Sequence, residues 1–102
     1  MIVYEVRASV EDGVAAAYRE WLAPHIAEIL AIPGFTGAEL LVEDGEAGRT
    51  VYCVRYHLAD RGALETYLRD HAPRLRADGL ARFGGRFSAS RRVSELVAEY
   101  GR

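Results

Sequence analysis

Two hydrophobic periods alternate along the chain, and the switches between them mark its elements. From Ile2 to Ala8, apolar Ile2, Tyr4, Val6 and Ala8 face one side against Val3, Glu5 and Arg7, the period of two that marks a strand. Ser9-Val10-Glu11-Asp12 then predicts a helix start, a hydroxyl acceptor followed three positions on by a carboxylate. Val14, Tyr18, Trp21, Leu22, His25, Ile26, Ile29 and Leu30 recur at steps of three and four, the inward stripe of a long helix that Ile32-Pro33-Gly34 stops.

Alternation returns from Phe35 to Glu43, with Ala38, Leu40 and Val42 against Glu39, Leu41 and Glu43. The polar, glycine-rich Asp44-Gly45-Glu46-Ala47-Gly48 joins it as a hairpin to a third strand, Arg49–Leu58. That strand places Tyr52, Val54, Tyr56 and Leu58 on one face and Val51, Cys53, Arg55 and His57 on the other. Asp60 is an N-cap residue, and Leu64, Tyr67, Leu68, His71 and Leu75 form the stripe of a second helix, with a stop at Asp78-Gly79. Phe83 to about Val97 reads as a fourth extended stretch interrupted at Gly84-Gly85, and residues 94–100 fit strand or short helix equally. Both helices contain a proline, Pro24 and Pro73, which removes one backbone hydrogen bond from each.

The order β-α-β-β-α-β predicts one α+β domain over residues 1–102, ferredoxin-like, a four-stranded antiparallel sheet with two helices on one face. Composition narrows the function. The chain is 102 residues long, half of them hydrophobic and 27% charged, with no apolar run near the ~20 residues that span a bilayer, and the early charge in Met1-Ile2-Val3-Tyr4-Glu5 leads us to expect that this stretch is not a secretory signal. A single cysteine, Cys53, forms no intrachain disulfide and builds no cysteine metal site, so the expected compartment is a reducing cytoplasm. A net charge of −2 argues against nucleic-acid binding. The third strand agrees: where RNA-recognition modules carry glycine and exposed aromatics, it has Thr50, Val51 and Cys53. All thirteen basic residues are arginine, which we ascribe to a GC-rich coding bias.

The sheet face away from the helices carries Val3, Glu5, Arg7, Glu39, Leu41, Glu43, Val51, Cys53, Arg55 and His57. Its centre is too apolar for water and its rim too charged for a core, so the expected partner is a second copy, in a homodimer closed through this face as a dimeric α/β barrel. On the other face the chemistry gathers. Trp21 and His25 stand four apart on the first helix, Tyr67 and His71 on the second, and each pair shares a helix face. Tyr4, Tyr52 and Tyr56 point at them from the sheet. Aromatic walls with a few polar groups suit a small hydrophobic or aromatic ligand, and a half-buried imidazole moves protons near neutral pH. His25 and His71 are therefore the candidate catalytic residues, with Trp21, Tyr4, Tyr52, Tyr56 and Tyr67 as ligand-binding walls. No motif calls for a cofactor or a metal: there is no phosphate-cradling glycine loop, no His-Glu-x-x-His and no serine elbow.

Trp21-Leu22 with His25-Ile26, Tyr52-x-Val54-x-Tyr56, Tyr67-Leu68-Arg69-Asp70-His71-Ala72-Pro73-Arg74-Leu75 and Phe83-Gly84-Gly85-Arg86-Phe87 resemble an uncharacterised bacterial family, a domain of unknown function in the dimeric α/β-barrel superfamily. The resemblance spans about residues 2 to 92. It implies the ferredoxin-like fold and a face-to-face dimer, and no activity. Relatives in fold include antibiotic-biosynthesis monooxygenases, haem-degrading oxygenases and small isomerases. The haem-degrading ones use an asparagine on the first strand, and this chain has none. Three readings follow: a cofactor-free oxygenase or isomerase with a helix–sheet pocket, a non-catalytic structural dimer, or a haem- or metal-binding protein.

Overall fold

The computed structural model describes residues 1–102. Strand β1 (Ile2–Glu11) is bonded on both sides, antiparallel to β3 (Arg49–Leu58) from Ile2↔Leu58 to Glu11↔Arg49, and to β4 (Phe87–Glu95) from Ile2↔Glu95 to Val10↔Phe87. Strand β2 (Phe35–Glu43) adds to β3, giving the order β2-β3-β1-β4. Helices α1 (Asp12–Leu30), α2 (Arg61–Asp70) and α3 (Ala72–Phe83) complete the ferredoxin-like fold. The alternation read in β1 holds: Ile2, Tyr4, Ala8 and Val10 are buried in the core with Tyr52, Val54, Tyr56 and Leu58 from β3. The helices supply Tyr18, Leu22, Ile29, Leu64, Tyr67, Leu75 and Phe83 to the same cluster.

Helix α1 starts two residues later than the Ser9 signal predicts, with Glu11 at the N-cap position. β1 continues through Ser9, which pairs with Val51 on one side and Ser88 on the other, so its hydroxyl accepts from Arg49 Nε at 2.7 Å and caps nothing. Tertiary bonds fix the helix start: the Asp12 N–H donates to the Gly48 carbonyl at 3.0 Å, and Asp12 Oδ1 accepts from the Thr50 hydroxyl at 2.8 Å. The Asp60 cap is as expected, its Oδ1 accepting from the Ala63 N–H at 2.8 Å.

The two prolines behave differently. α1 runs on through Pro24; Pro24 and Glu20, whose carbonyl loses its donor, are both exposed, so water satisfies that carbonyl. The expected second helix instead divides at His71. Pro73 lies in the first turn of α3, where its missing N–H costs nothing. The stop expected at Asp78-Gly79 does not occur, and α3 continues to Phe83. A Cβ on Gly79 would lie 3.2 Å from the Trp21 ring and 3.6 Å from that of Phe87, so a helix-weakening glycine sits where a methyl would crowd the Trp21 ring. A 3-10 turn at Gly84–Arg86 leads into β4, which takes in Ser94 and Glu95; no helix follows, and the Leu96 N–H donates to the Met1 carbonyl at 2.9 Å. No helix is long and apolar enough to cross a membrane.

On the outer face, Val51 and Cys53 keep only 7% and 5% of their surface. Above them lie the ion pairs Arg7–Glu43 at 2.7 Å and Arg55–Glu5 at 3.1 Å and the hydrogen-bonded pair His57–Glu39 at 2.6 Å, all crossing the strands. Burial raises the Cys53 thiol pKa, so the sulfur behaves as a small apolar group.

Candidate ligand cavity

A cavity of about 60 Å³ lies between the helices and the sheet. Its floor follows from strand alternation, the inward residues Tyr4, Val6 and Ala8 of β1 and Tyr52, Val54 and Tyr56 of β3. Its roof follows from the helical stripe of α1, with Tyr18, Trp21, Leu22, His25 and Ile29, and from Tyr67 of α2. Of the seven residues singled out in the sequence, six line this space: Tyr4, Trp21, His25, Tyr52, Tyr56 and Tyr67.

The structure does not bring His71 to them. His71 occupies the break between α2 and α3 with φ −124° and ψ −38°, its N–H donating to the Tyr67 carbonyl and its carbonyl accepting from the Leu75 N–H. The expectation of two imidazoles facing each other across one space rests on an unbroken helical spacing from Tyr67 to His71, and the chain departs from it at that residue. Tyr18, Arg76 and Arg91 also line the cavity, and the sequence reading does not single them out. A signal for Arg91 is present: it sits in the inward phase of β4 with Phe87 and Ala89, opposite Val6.

Aromatic packing holds the walls. The His25 ring stacks on Trp21, with centroids 4.2 Å apart and planes 25° apart. Tyr18 is the hub, its ring 5.0 Å from Phe83, 5.3 Å from Phe87, 5.5 Å from Trp21 and 6.1 Å from Tyr52. Tyr4 meets Tyr67 edge-on at 5.8 Å.

The polar groups are few. The Tyr52 hydroxyl donates to the Ala15 carbonyl at 3.2 Å, and the Tyr4 hydroxyl accepts from Arg76 Nη2 at 3.1 Å. Burial pushes the Tyr18 and Tyr67 phenols up to about 12 and raises Tyr56 as well, so all three stay protonated at neutral pH. Burial also lowers the His25 pKa, against the upward pull of Glu28 and Asp78 and with a smaller downward push from Arg74. His25 is therefore neutral at pH 7 and able to accept a proton. No group of three or more His, Cys, Asp or Glu side chains gathers to hold a metal ion.

The depressed His25 pKa makes stability depend on pH in a fixed sense. The unfolded chain binds the proton more readily, so the neutral ring's contribution is complete above its unfolded pKa, near 6.5, and is lost as pH falls toward the folded value. Thermal melts at pH 7 and pH 5 check this. Wild type is expected to lose more stability across that interval than a His25→Gln variant; equal losses would place the ring in free exchange with water.

This fold, with its cavity between helices and sheet, places the protein among the ferredoxin-like α+β domains. It is similar in structure to an antibiotic biosynthesis monooxygenase at 15% identity and TM-score 0.68, covering 96% of this chain and 100% of that one. It is also similar to SnoaB, a cofactor-independent oxygenase from Streptomyces nogalater, at 18% identity and TM-score 0.67, covering 96% and 95%. A third similar structure, a mutant of MhuD, was solved with two manganese protoporphyrin IX molecules bound per active site (23% identity, TM-score 0.68, covering 97% and 98%). At such identities these likenesses show the fold alone. No curated protein matches the sequence. The chain belongs to the domain-of-unknown-function family DUF4286, whose match extends over residues 1–97.

Proposed function

We propose that the protein is a homodimeric small-molecule-binding protein, acting as a cofactor-free oxygenase or isomerase on a small hydrophobic or aromatic compound in the helix–sheet cavity. The observation that carries this reading is the neutral, half-buried His25, stacked on Trp21 in a space walled by tyrosines. In an isomerase, His25 takes a proton from one carbon of the substrate and returns it to another. In an oxygenase, the same proton removal leaves an electron-rich carbanion or enolate for dioxygen, the second substrate, to oxidise. Similarity in fold to a cofactor-independent oxygenase agrees with this chemistry.

The dimer is part of the proposal. Two copies of the outer face would meet across the Arg7–Glu43 and Arg55–Glu5 pairs that already cover Val51 and Cys53, a contact with a large polar share. A cytoplasmic location goes with it, on the strength of the lone, unpaired Cys53.

The small cavity favours one other reading, a non-catalytic dimer in which the histidine completes the core. Native mass spectrometry of freshly purified protein separates the two. The proposal expects twice the chain mass together with a retained organic molecule, which a His25→Phe variant retains less of. A monomer removes the dimer, and a dimer that carries no ligand and is more stable as His25→Phe establishes the structural role.

A further inference from the structure

The polar groups of the cavity are unbalanced. Two of its lining residues, Arg76 from α3 and Arg91 from β4, carry a full charge at neutral pH, and no aspartate or glutamate joins them. Both arginines are exposed, which places them at the mouth. The ion pairs of the molecule use Arg7, Arg55, Arg69, Arg74 and Arg86, and leave these two out. Arg76 makes one side-chain hydrogen bond, to the neutral Tyr4 hydroxyl, and Arg91 makes none.

The interior continues the same bias. The hydroxyls of Tyr18, Tyr56 and Tyr67 form no hydrogen bond within the protein. They are not sealed in, because the one buried side-chain polar atom without a partner is His57 Nδ1, on the outer face. All three residues line the cavity, and each phenol is protonated and able to donate. The field of Arg91 reaches both Tyr18 and Tyr67, and that of Arg76 reaches Tyr67, so donors and cations address one region. Two forked guanidinium groups and three phenols free to donate, with no carboxylate among the lining residues, complement a ligand rich in acceptors and bearing negative charge.

We propose that the cavity selects a planar, apolar monoanion, an aromatic carboxylate or enolate, with its charged oxygens between Arg76 and Arg91 and its ring against Tyr18 and Trp21. This rests on the reading of the cavity as a ligand site and adds the substrate class. A neutral ligand of the same shape leaves the guanidinium donors to water and gains only the apolar contact.

Calorimetric titration with benzoate and with benzamide, which share a ring and differ in charge, tests the selection. Benzoate is expected to bind at least about tenfold more tightly at low salt, with the preference shrinking as salt is added. Arg91→Gln is expected to remove most of that preference without moving the melting temperature, since its side chain has no protein partner. Arg76→Gln is expected to reduce it further. Equal binding of the two probes overturns the anion and leaves the cavity a ligand site; binding of neither overturns both readings. A benzoate preference that survives intact in the double variant overturns the role of the arginines. The wild-type comparison decides the charge question even where a variant fails to fold.

Discussion

Replacing Tyr18 with alanine is expected to cost about 3–5 kcal/mol of unfolding free energy, the largest loss of any single substitution considered for this chain. Tyr18 keeps 4% of its surface and touches aromatic rings from four segments: Trp21 on its own helix, Tyr52 on β3, Phe83 at the end of α3, and Phe87 at the start of β4. Truncation removes the ring's buried area and its tilted and stacked contacts with four other rings, and it opens a hole beside a cavity that already exists, so the walls have little left to close against. Against a total near 5–15 kcal/mol for a domain of this size, the variant lies close to the edge of folding. Thermal unfolding should show a fall of roughly 15–30 °C. Tyr18→Phe separates ring from hydroxyl. Since that hydroxyl has no partner in the protein, its loss should change stability by no more than about 0.5 kcal/mol. A fall of only a few degrees in the alanine variant would mean the ring is not the hub its distances describe.

Gly34→Ala is expected to follow closely, at about 2–5 kcal/mol, from two independent causes. The backbone there has φ +97°, where a side chain is strained by about 1–3 kcal/mol. The new Cβ would also fall 2.4 Å from the Cβ of Ala63, far inside contact distance. Ala63 has no flexible end to swing away, so the first turn of α2 must move, at an overpacking cost of about 1–3 kcal/mol. The Gly34 carbonyl also accepts from the Ala59 N–H at 2.9 Å, so the loop leading to α2 is tied to the same residue. Chemical denaturation of wild type, Gly34→Ala and Gly34→Ala/Ala63→Gly checks both parts. The second substitution should restore the steric share, less about 1 kcal/mol for a glycine inside a helix, and leave the backbone strain. A single variant within about 1 kcal/mol of wild type would show that α2 is not seated on this glycine.

The alternations of β1 and β3 are readable because each of these strands has one face in the core, which forces the pattern residue by residue. The Asp60 cap is equally local. What escapes reading is decided across the fold. Ser9 looks like a cap until two neighbouring strands claim its backbone, and Gly79 looks like a stop until Trp21 and Phe87 fill the space beside it. The aromatic walls of the cavity are visible in the helical stripes and strand phases. Its charged mouth is not, because Arg76 lies past the break at His71 in what reads as one continuous helix, and an arginine in the inward phase of β4 runs against the apolar pattern that marks a core-facing position. His71 escapes for the same reason: spacing along a helix carries no information past a residue where the helix ends.

The sheet order has a consequence for how the polypeptide acquires its shape. β1, the first strand made, pairs with the last, and Ile2 meets Glu95 across nearly the length of the chain. Such distant pairings slow folding into the range of milliseconds to seconds for small domains. The Phe87–Tyr18 contact and Arg91 both come with β4, so the cavity wall is complete only after the last strand of the chain has been made and docked.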